Sequence, residues 1–189
     1  MLPVKPWYRF LFDNGEYLDY GDKLSTTIKE IKSKYGNDNA KSYIKLLKHS
    51  KRIFNKAFTE LSGEPFESLG SMIKHLPELV RIRFDRSVYR AVDKYIGNVN
   101  LNQALSMHPL LVGGNPYSTT SIYLLIQYLE WKWGVFYAEG GTGKIVDALE
   151  KLLDTKEVEI KKNTEVRKII LKNKKVVGVD TTEGLINCD

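Results

Sequence analysis

A chain of 189 residues, 42% of them hydrophobic and 28% charged, can bury one core or parts of two, and is too apolar to stay disordered. No apolar run reaches the ~18 residues that span a bilayer, and Pro3, Lys5, Pro6 and Arg9 interrupt any secretory h-region. The single cysteine, Cys188, excludes an internal disulfide and fits a reducing compartment, while three scattered histidines give no metal-ligand spacing.

In chain order, YRFLF-DNG-EYLDY reads as a β-hairpin, because Asn-Gly between aromatic and apolar flanks is a strong short-range turn signal. Helices follow. One runs from Ser25 to Tyr35 and is stopped by Gly36; a second runs from Asn39 to Leu61. The net charge of +6 lies in residues 1–100, since residues 101–189 hold equal numbers of acids and bases. Much of it sits on the second helix. Lys41, Lys45, Lys48, Arg52 and Lys56 recur at three- and four-residue spacing, which makes one basic face. Tyr43, Ile44, Leu47, Phe54, Phe58 and Leu61 fall on the other face. Such a face is a solvated surface over a buried one, or an attraction to anionic lipid. Nucleic acid is not an expected partner, because no recognition motif accompanies the charge.

Further helices are expected over Phe66 to His75, Ser87 to Ile96 and Leu101 to Met107. The stretch HPLLVGGNPYSTTSIY then forms a Gly- and Pro-rich loop that feeds a longer helix, Thr119 to Trp133, with Ser118 or Thr119 as its cap. A backbone so costly to order suggests a shaped surface near a ligand or another domain. His108 opens this stretch. By residue type alone it reads as a packing or hydrogen-bonding group rather than a general base, because no Ser/His/Asp set or Gly-x-Ser-x-Gly elbow accompanies it. Tyr123, Tyr128, Trp131 and Trp133 read as core aromatics.

From Val135 the character changes to strand, Gly turn, helix, and then short β-rich runs: VEIKK, TEVRKIILK, KVVGVDTT and LINC. EGGTGKIVDAL is not a P-loop. Ile145 replaces the Ser or Thr after Gly-Lys, and Ala138 stands where the first Gly belongs. LINCD looks like a strand cut off as it begins, so the sequence reads as part of something longer.

Taken together these residues resemble the bacterial-type phytoene desaturases, a family of FAD-dependent carotenoid oxidoreductases. The resemblance starts at Leu2-Pro3-Val4, Pro6 and Tyr8-Arg9, and continues through Pro65-Phe66, Ser87-Val88-Tyr89 and Leu101-Asn102-Gln103-Ala104. It is densest over Ser106, His108-Pro109-Leu110, Val112-Gly113-Gly114-Asn115-Pro116, Ser121-Ile122-Tyr123, Leu129-Glu130, Gly134-Val135 and Gly140-Gly141-Thr142-Gly143.

The resemblance implies an α+β or α/β fold, flavin amine oxidase-like. Residues 1–138 would be part of a mostly helical substrate and membrane-binding domain with a hairpin, and 139–189 a β-rich part of the FAD-binding domain. GGTG is then the turn where the chain returns to the FAD domain. Val166, with Glu165 beside it, is expected to meet the adenine ring, and Gly140 and Gly141 to lie near the flavin. His108, Pro109, Asn115, Tyr117 and Tyr123 are expected to contact an apolar C30–C40 carotenoid, which has no polar handle and binds by buried area. The Gly-x-Gly-x-x-Gly that holds the pyrophosphate in such enzymes is not in this sequence, so the chain alone is expected to hold FAD weakly.

The family's acid and Arg after Pro-Phe correspond here to Ser71 and Lys74. Lys74, which keeps the charge without the planar fork, is the candidate catalytic residue. Such a substrate lives in the bilayer, so the resemblance implies a peripheral-membrane location, and the lone Cys188 fits a cytoplasmic one. An isomerase or ketolase of the same family, or a non-catalytic lipid-binding module, are the alternative readings.

Overall fold

The structure, a computed structural model, describes residues 1–60 and 85–188. The helix expected over Phe66 to His75 lies outside them, as do Leu61, Ser71 and Lys74. The architecture is mixed α+β and divides into two units, Met1–Tyr137 and Ala138–Asp189.

The first unit opens with strand β1 (Leu2–Pro3) and the hairpin β2 (Tyr8–Leu11) and β3 (Tyr17–Tyr20), paired antiparallel with Tyr8 opposite Tyr20. The turn is longer than the two-residue Asn-Gly type. Phe12 N–H donates to Glu16 O, and Gly15 N–H donates to Phe12 O with φ +80° at Gly15. This is a three-residue loop with its left-handed residue last, the next commonest hairpin closure.

Helix α1 (Leu24–Phe54) contains the Gly36 break expected from sequence. Gly36 alone leaves helical geometry, at φ 87°, ψ 166°, and the helix resumes beyond it. Its buried stripe is Ile31, Ala40, Tyr43, Leu46, Ser50, Ile53 and Phe54. Leu46 and Ile53 therefore replace Ile44 on the expected apolar face, and Ile44 is 37% exposed. Ile44 lies three residues after Lys41 and four before Lys48, so helical spacing puts it on the basic face. The last described turns, Asn55–Glu60, are π-helical.

Two short capped helices follow. In α2 (Val88–Asp93) the Ser87 hydroxyl accepts from Arg90 N–H, and in α3 (Val99–Leu105) Asn98 accepts from Leu101 N–H at 3.0 Å. Each satisfies one orphan donor of a first turn. A 3₁₀ turn at His108–Val112 leads into the Gly-rich loop. The expected Thr119–Trp133 helix begins instead as a 3₁₀ turn, Ser121–Leu124, and becomes α4 over Leu125–Trp133. Thr120 caps it, its hydroxyl accepting from Ile122 N–H, and not Ser118 or Thr119, which belong to the preceding turn, their N–H groups donating to Asn115 O. Gly134 ends α4 at φ 80°, and β4 (Phe136–Tyr137) returns to pair with β1.

In the core, Leu18 and Tyr20 of β3 meet Tyr43, Leu46 and Ile53 of α1, Val88 and Val92 of α2, Leu101 and Leu105 of α3, and Leu124.

The second unit holds α5 (Gly143–Thr155) and an antiparallel sheet of β5 (Val166–Lys172), β6 (Lys175–Thr181) and β7 (Gly184–Asn187), in that order. Asn173 and Lys174 both take positive φ, 53° and 63°, as a two-residue primed turn requires. The VEIKK segment, expected as a strand, is not one. Its alternating pattern is right, but no ladder forms on it among the described residues, and alternation without a partner does not make a strand. No residue of α5 is buried: Ile145, Val146, Leu149 and Leu152 are 43 to 57% exposed.

Candidate functional site

Two apolar clefts lie side by side in the first unit. One, of about 610 Å³, is bounded by Tyr89, Ser106 and the loop from Gly113 to Tyr117. The other, of about 670 Å³, runs between Trp7–Phe12 and a facing wall of Ala104 and Leu111. Gln103, Met107 and Leu110 line both. Concave, mostly apolar surface of this size suits a small ligand bound by area rather than by charge.

The Gly-rich wall is held by its backbone. Tyr89 N–H donates to Pro116 O (3.0 Å), Val88 N–H to Thr119 O (2.9 Å) and Ser121 N–H to Arg86 O (2.7 Å). Gly113 turns the chain at φ 75°, and Gly114 donates to Pro109 O at 2.8 Å, where a Cβ would strike the Thr119 hydroxyl and Pro109. The paired glycines therefore serve one left-handed turn and one close approach. Tyr117 packs on Tyr89 with ring centroids 4.6 Å apart.

Behind the clefts lies a buried polar layer. Glu130 on α4 is 4% exposed. Its Oε1 accepts from the Tyr8 hydroxyl at 2.6 Å, and its Oε2 lies 3.1 Å from His108 Nε2. A carboxylate that already takes one O–H donor calls for Nε2 to carry the hydrogen. His108 Nδ1 is buried and has no partner among the described residues. One turn earlier on α4, Gln127 donates to Leu105 O at 2.7 Å and faces the Ser50 hydroxyl at 3.4 Å. Beside them the Trp131 indole N–H serves the hydroxyls of Tyr43 (2.8 Å) and Tyr20 (3.2 Å).

Burial pushes the Tyr8 hydroxyl well above its ordinary value, reinforced by its hydrogen bond to Glu130 and by the Glu130 charge. Tyr20 is pushed up by burial, then by Tyr43 and Glu130. Tyr43 is pushed up by burial against the opposing pull of its Tyr20 and Trp131 hydrogen bonds. All three phenols therefore stay neutral inside the protein.

Of the residues singled out in the sequence, Asn115 and Tyr117 line the first cleft. His108 and Pro109 are buried; His108 belongs to the polar layer and lines neither cleft. Tyr123 packs half-buried against the core. In the second unit Gly140 and Gly141 take φ 82° and 92°. Glu165 is exposed, and its backbone N–H donates to the Thr182 hydroxyl at 3.2 Å. Val166, 55% exposed, opens β5, an edge strand. Lys74 lies outside the described residues.

Sequence reasoning gave no role to Tyr8, Gln127 or Glu130. The signal in the sequence is slight: Gln127 and Glu130 stand three apart, on one face of the expected helix, and the structure buries both, so both need partners.

No family model matches the chain. Curated relatives do. It is 36% identical over 98% of its length to a lycopene-forming phytoene desaturase of Pseudescherichia vulneris, and 35% identical over 97% to that of Pantoea ananas. A neurosporene-forming phytoene desaturase of Rhodobacter capsulatus is 33% identical over 97%. The chain spans 35 to 38% of the length of these three relatives. Over nearly its whole length, then, the chain is related to the bacterial-type phytoene desaturases and corresponds to just over a third of such a protein.

Proposed function

We propose that this chain is the central part of an FAD-dependent carotene desaturase with a flavin amine oxidase-like fold, dehydrogenating phytoene or a related polyene. The observation that carries the reading is the similarity along nearly the whole chain to enzymes named for forming lycopene or neurosporene. The apolar clefts support it, because a hydrocarbon substrate binds through buried area at ~25 cal/mol per Å².

The second unit suits part of an FAD domain. Nothing lies within 4 Å of where a Cβ on Gly141 would stand, so a ring or phosphate can approach the backbone there, whereas at Gly140 the Lys144 side chain stands 3.0 Å from that point. The bare apolar face of α5 suits cover by further chain.

Bound FAD supplies the acceptor for a hydride leaving an allylic C–H. This chain's residues bind and orient the polyene. Met107 and Leu110, shared by both clefts, would touch it along its length, and Tyr89 and Tyr117 would wall one end against water. The Tyr8, Tyr20 and Tyr43 hydroxyls already have their partners within the protein, Tyr8 donating to Glu130, so they place no proton at the substrate. Expression of the complete gene in phytoene-accumulating cells tests the reading: coloured, more conjugated polyenes are expected, and unchanged phytoene would contradict it.

A peripheral-membrane, cytoplasmic setting belongs to the same proposal. Lys41, Lys45, Lys48 and Arg52 are exposed, and no ion pair among the described residues engages them. Reversing these four to Glu is expected to weaken co-sedimentation with anionic liposomes at least tenfold, at about 1 kcal/mol per basic residue near the surface. Undiminished sedimentation at low salt would remove this helix from the docking face.

A further inference from the structure

The second cleft has two walls from distant parts of the chain, Trp7–Phe12 and the stretch around Met107 and Leu110. Neither wall is a long regular element: β2 is four residues, and the facing wall is the end of a seven-residue helix and a 3₁₀ turn. Short elements of this kind hold their separation only if something behind them does. What lies behind is α4. Gln127 holds Leu105 O, Glu130 holds His108, and Met107 lies between those two anchor points. The same Glu130 carboxylate holds Tyr8 on the opposite wall.

We propose that Glu130 is a positioning residue. Its two oxygens pin the Tyr8 wall and the His108 wall to one point on α4, and so set the width of the cleft. Glu130 lines neither cleft, so it acts through the walls and not on a bound molecule. Both bonds are charge-assisted when the carboxylate is ionised, and such bonds are stronger and shorter than neutral ones. An apolar ligand offers no polar group to fix its own register, so the register must come from wall geometry. The inference rests on the reading of the cleft as a polyene site.

The test uses the complete gene product with FAD and polyene-bearing liposomes. Two readouts are the KM/kcat split and the circular dichroism that an achiral polyene acquires only when held in a chiral cleft. Glu130→Gln keeps the volume and an acceptor for Tyr8 but removes the charge. It is expected to raise KM about tenfold, with kcat within about twofold, flavin content unchanged and a smaller induced signal, as for loss of binding without loss of chemistry. Tyr8→Phe removes one oxygen from the other end of the same pin and should act in the same direction. The double variant should lose less than the sum of the two single losses, because both changes act on one device.

Wild-type KM and induced signal in both single variants, or losses that simply add in the double variant, would overturn the proposal. If Glu130→Gln does not accumulate as folded protein, Tyr8→Phe decides alone by the same two readouts. A wild-type protein that holds no polyene removes the desaturase reading and this inference together. A wild-type protein that binds polyene, with variants that behave identically, removes only the pin.

Discussion

Replacing Gly21 with alanine is expected to destabilise the Met1–Tyr137 unit by about 3 kcal/mol or more in urea or thermal unfolding. Two costs coincide there. Gly21 sits at φ 107°, where a side chain is strained, and an added Cβ would fall inside the Trp7 indole, against its Cβ, Cγ and Cδ2. Trp7 cannot simply withdraw, because its other side packs on Trp131 at 4.4 Å between centroids. Trp7 also forms part of the cleft wall, so the change should weaken polyene binding as well. Gly15→Ala is the control. Gly15 has φ 80° but open space around its Cβ, so about 1 kcal/mol is expected from backbone strain alone. Equal losses in the two variants would show that the Trp7 contact is not what requires glycine.

The second large effect is expected at Tyr20. Its ring is fully buried and lies within 6.4 Å, centroid to centroid, of Trp7, Tyr8, Phe10, Tyr43, His108 and Trp131. It is the point where hairpin, α1 and α4 meet. Tyr20→Ala should cost about 3–5 kcal/mol, as other buried aromatic truncations do. Tyr20→Phe keeps the packing and removes one hydrogen-bonding oxygen, for about 1 kcal/mol.

The phenols also make stability depend on alkaline pH. Tyr8, Tyr20 and Tyr43 titrate above their unfolded value of 10.0 in the folded protein. A raised value means the unfolded chain releases protons first. The stabilisation is therefore complete below about pH 10 and is lost as pH rises through the folded values. Urea midpoints that stay flat above pH 10 would contradict the burial of these hydroxyls. Tyr20→Phe should flatten the slope in part.

Much of this architecture is legible in the residues because local chemistry decides it. Asn14-Gly15 between aromatic runs specifies the hairpin, Gly36 breaks α1 and Gly134 ends α4. What is not legible depends on partners far away in the chain. VEIKK has the alternation of a strand and lacks a ladder.

The candidate site divides in the same way. Asn115 and Tyr117 reach a cleft wall from a loop whose composition already marked it as shaped. The Tyr8–Glu130–His108 layer joins residues 122 and 22 positions apart, and no local pattern announces such a pairing. The family resemblance pointed to all three positions but assigned a contact role only to His108.

This chain is proposed as part of a flavin enzyme that dehydrogenates a polyene. The most direct measurement is an anaerobic single turnover of the purified complete gene product, with phytoene supplied in liposomes. Flavin absorbance is expected to bleach as a more conjugated polyene appears, one flavin reduced for each double bond formed. Polyene rearrangement with the flavin still oxidised at the end would contradict it and point to isomerisation. No polyene change would contradict it and leave a lipid-binding module.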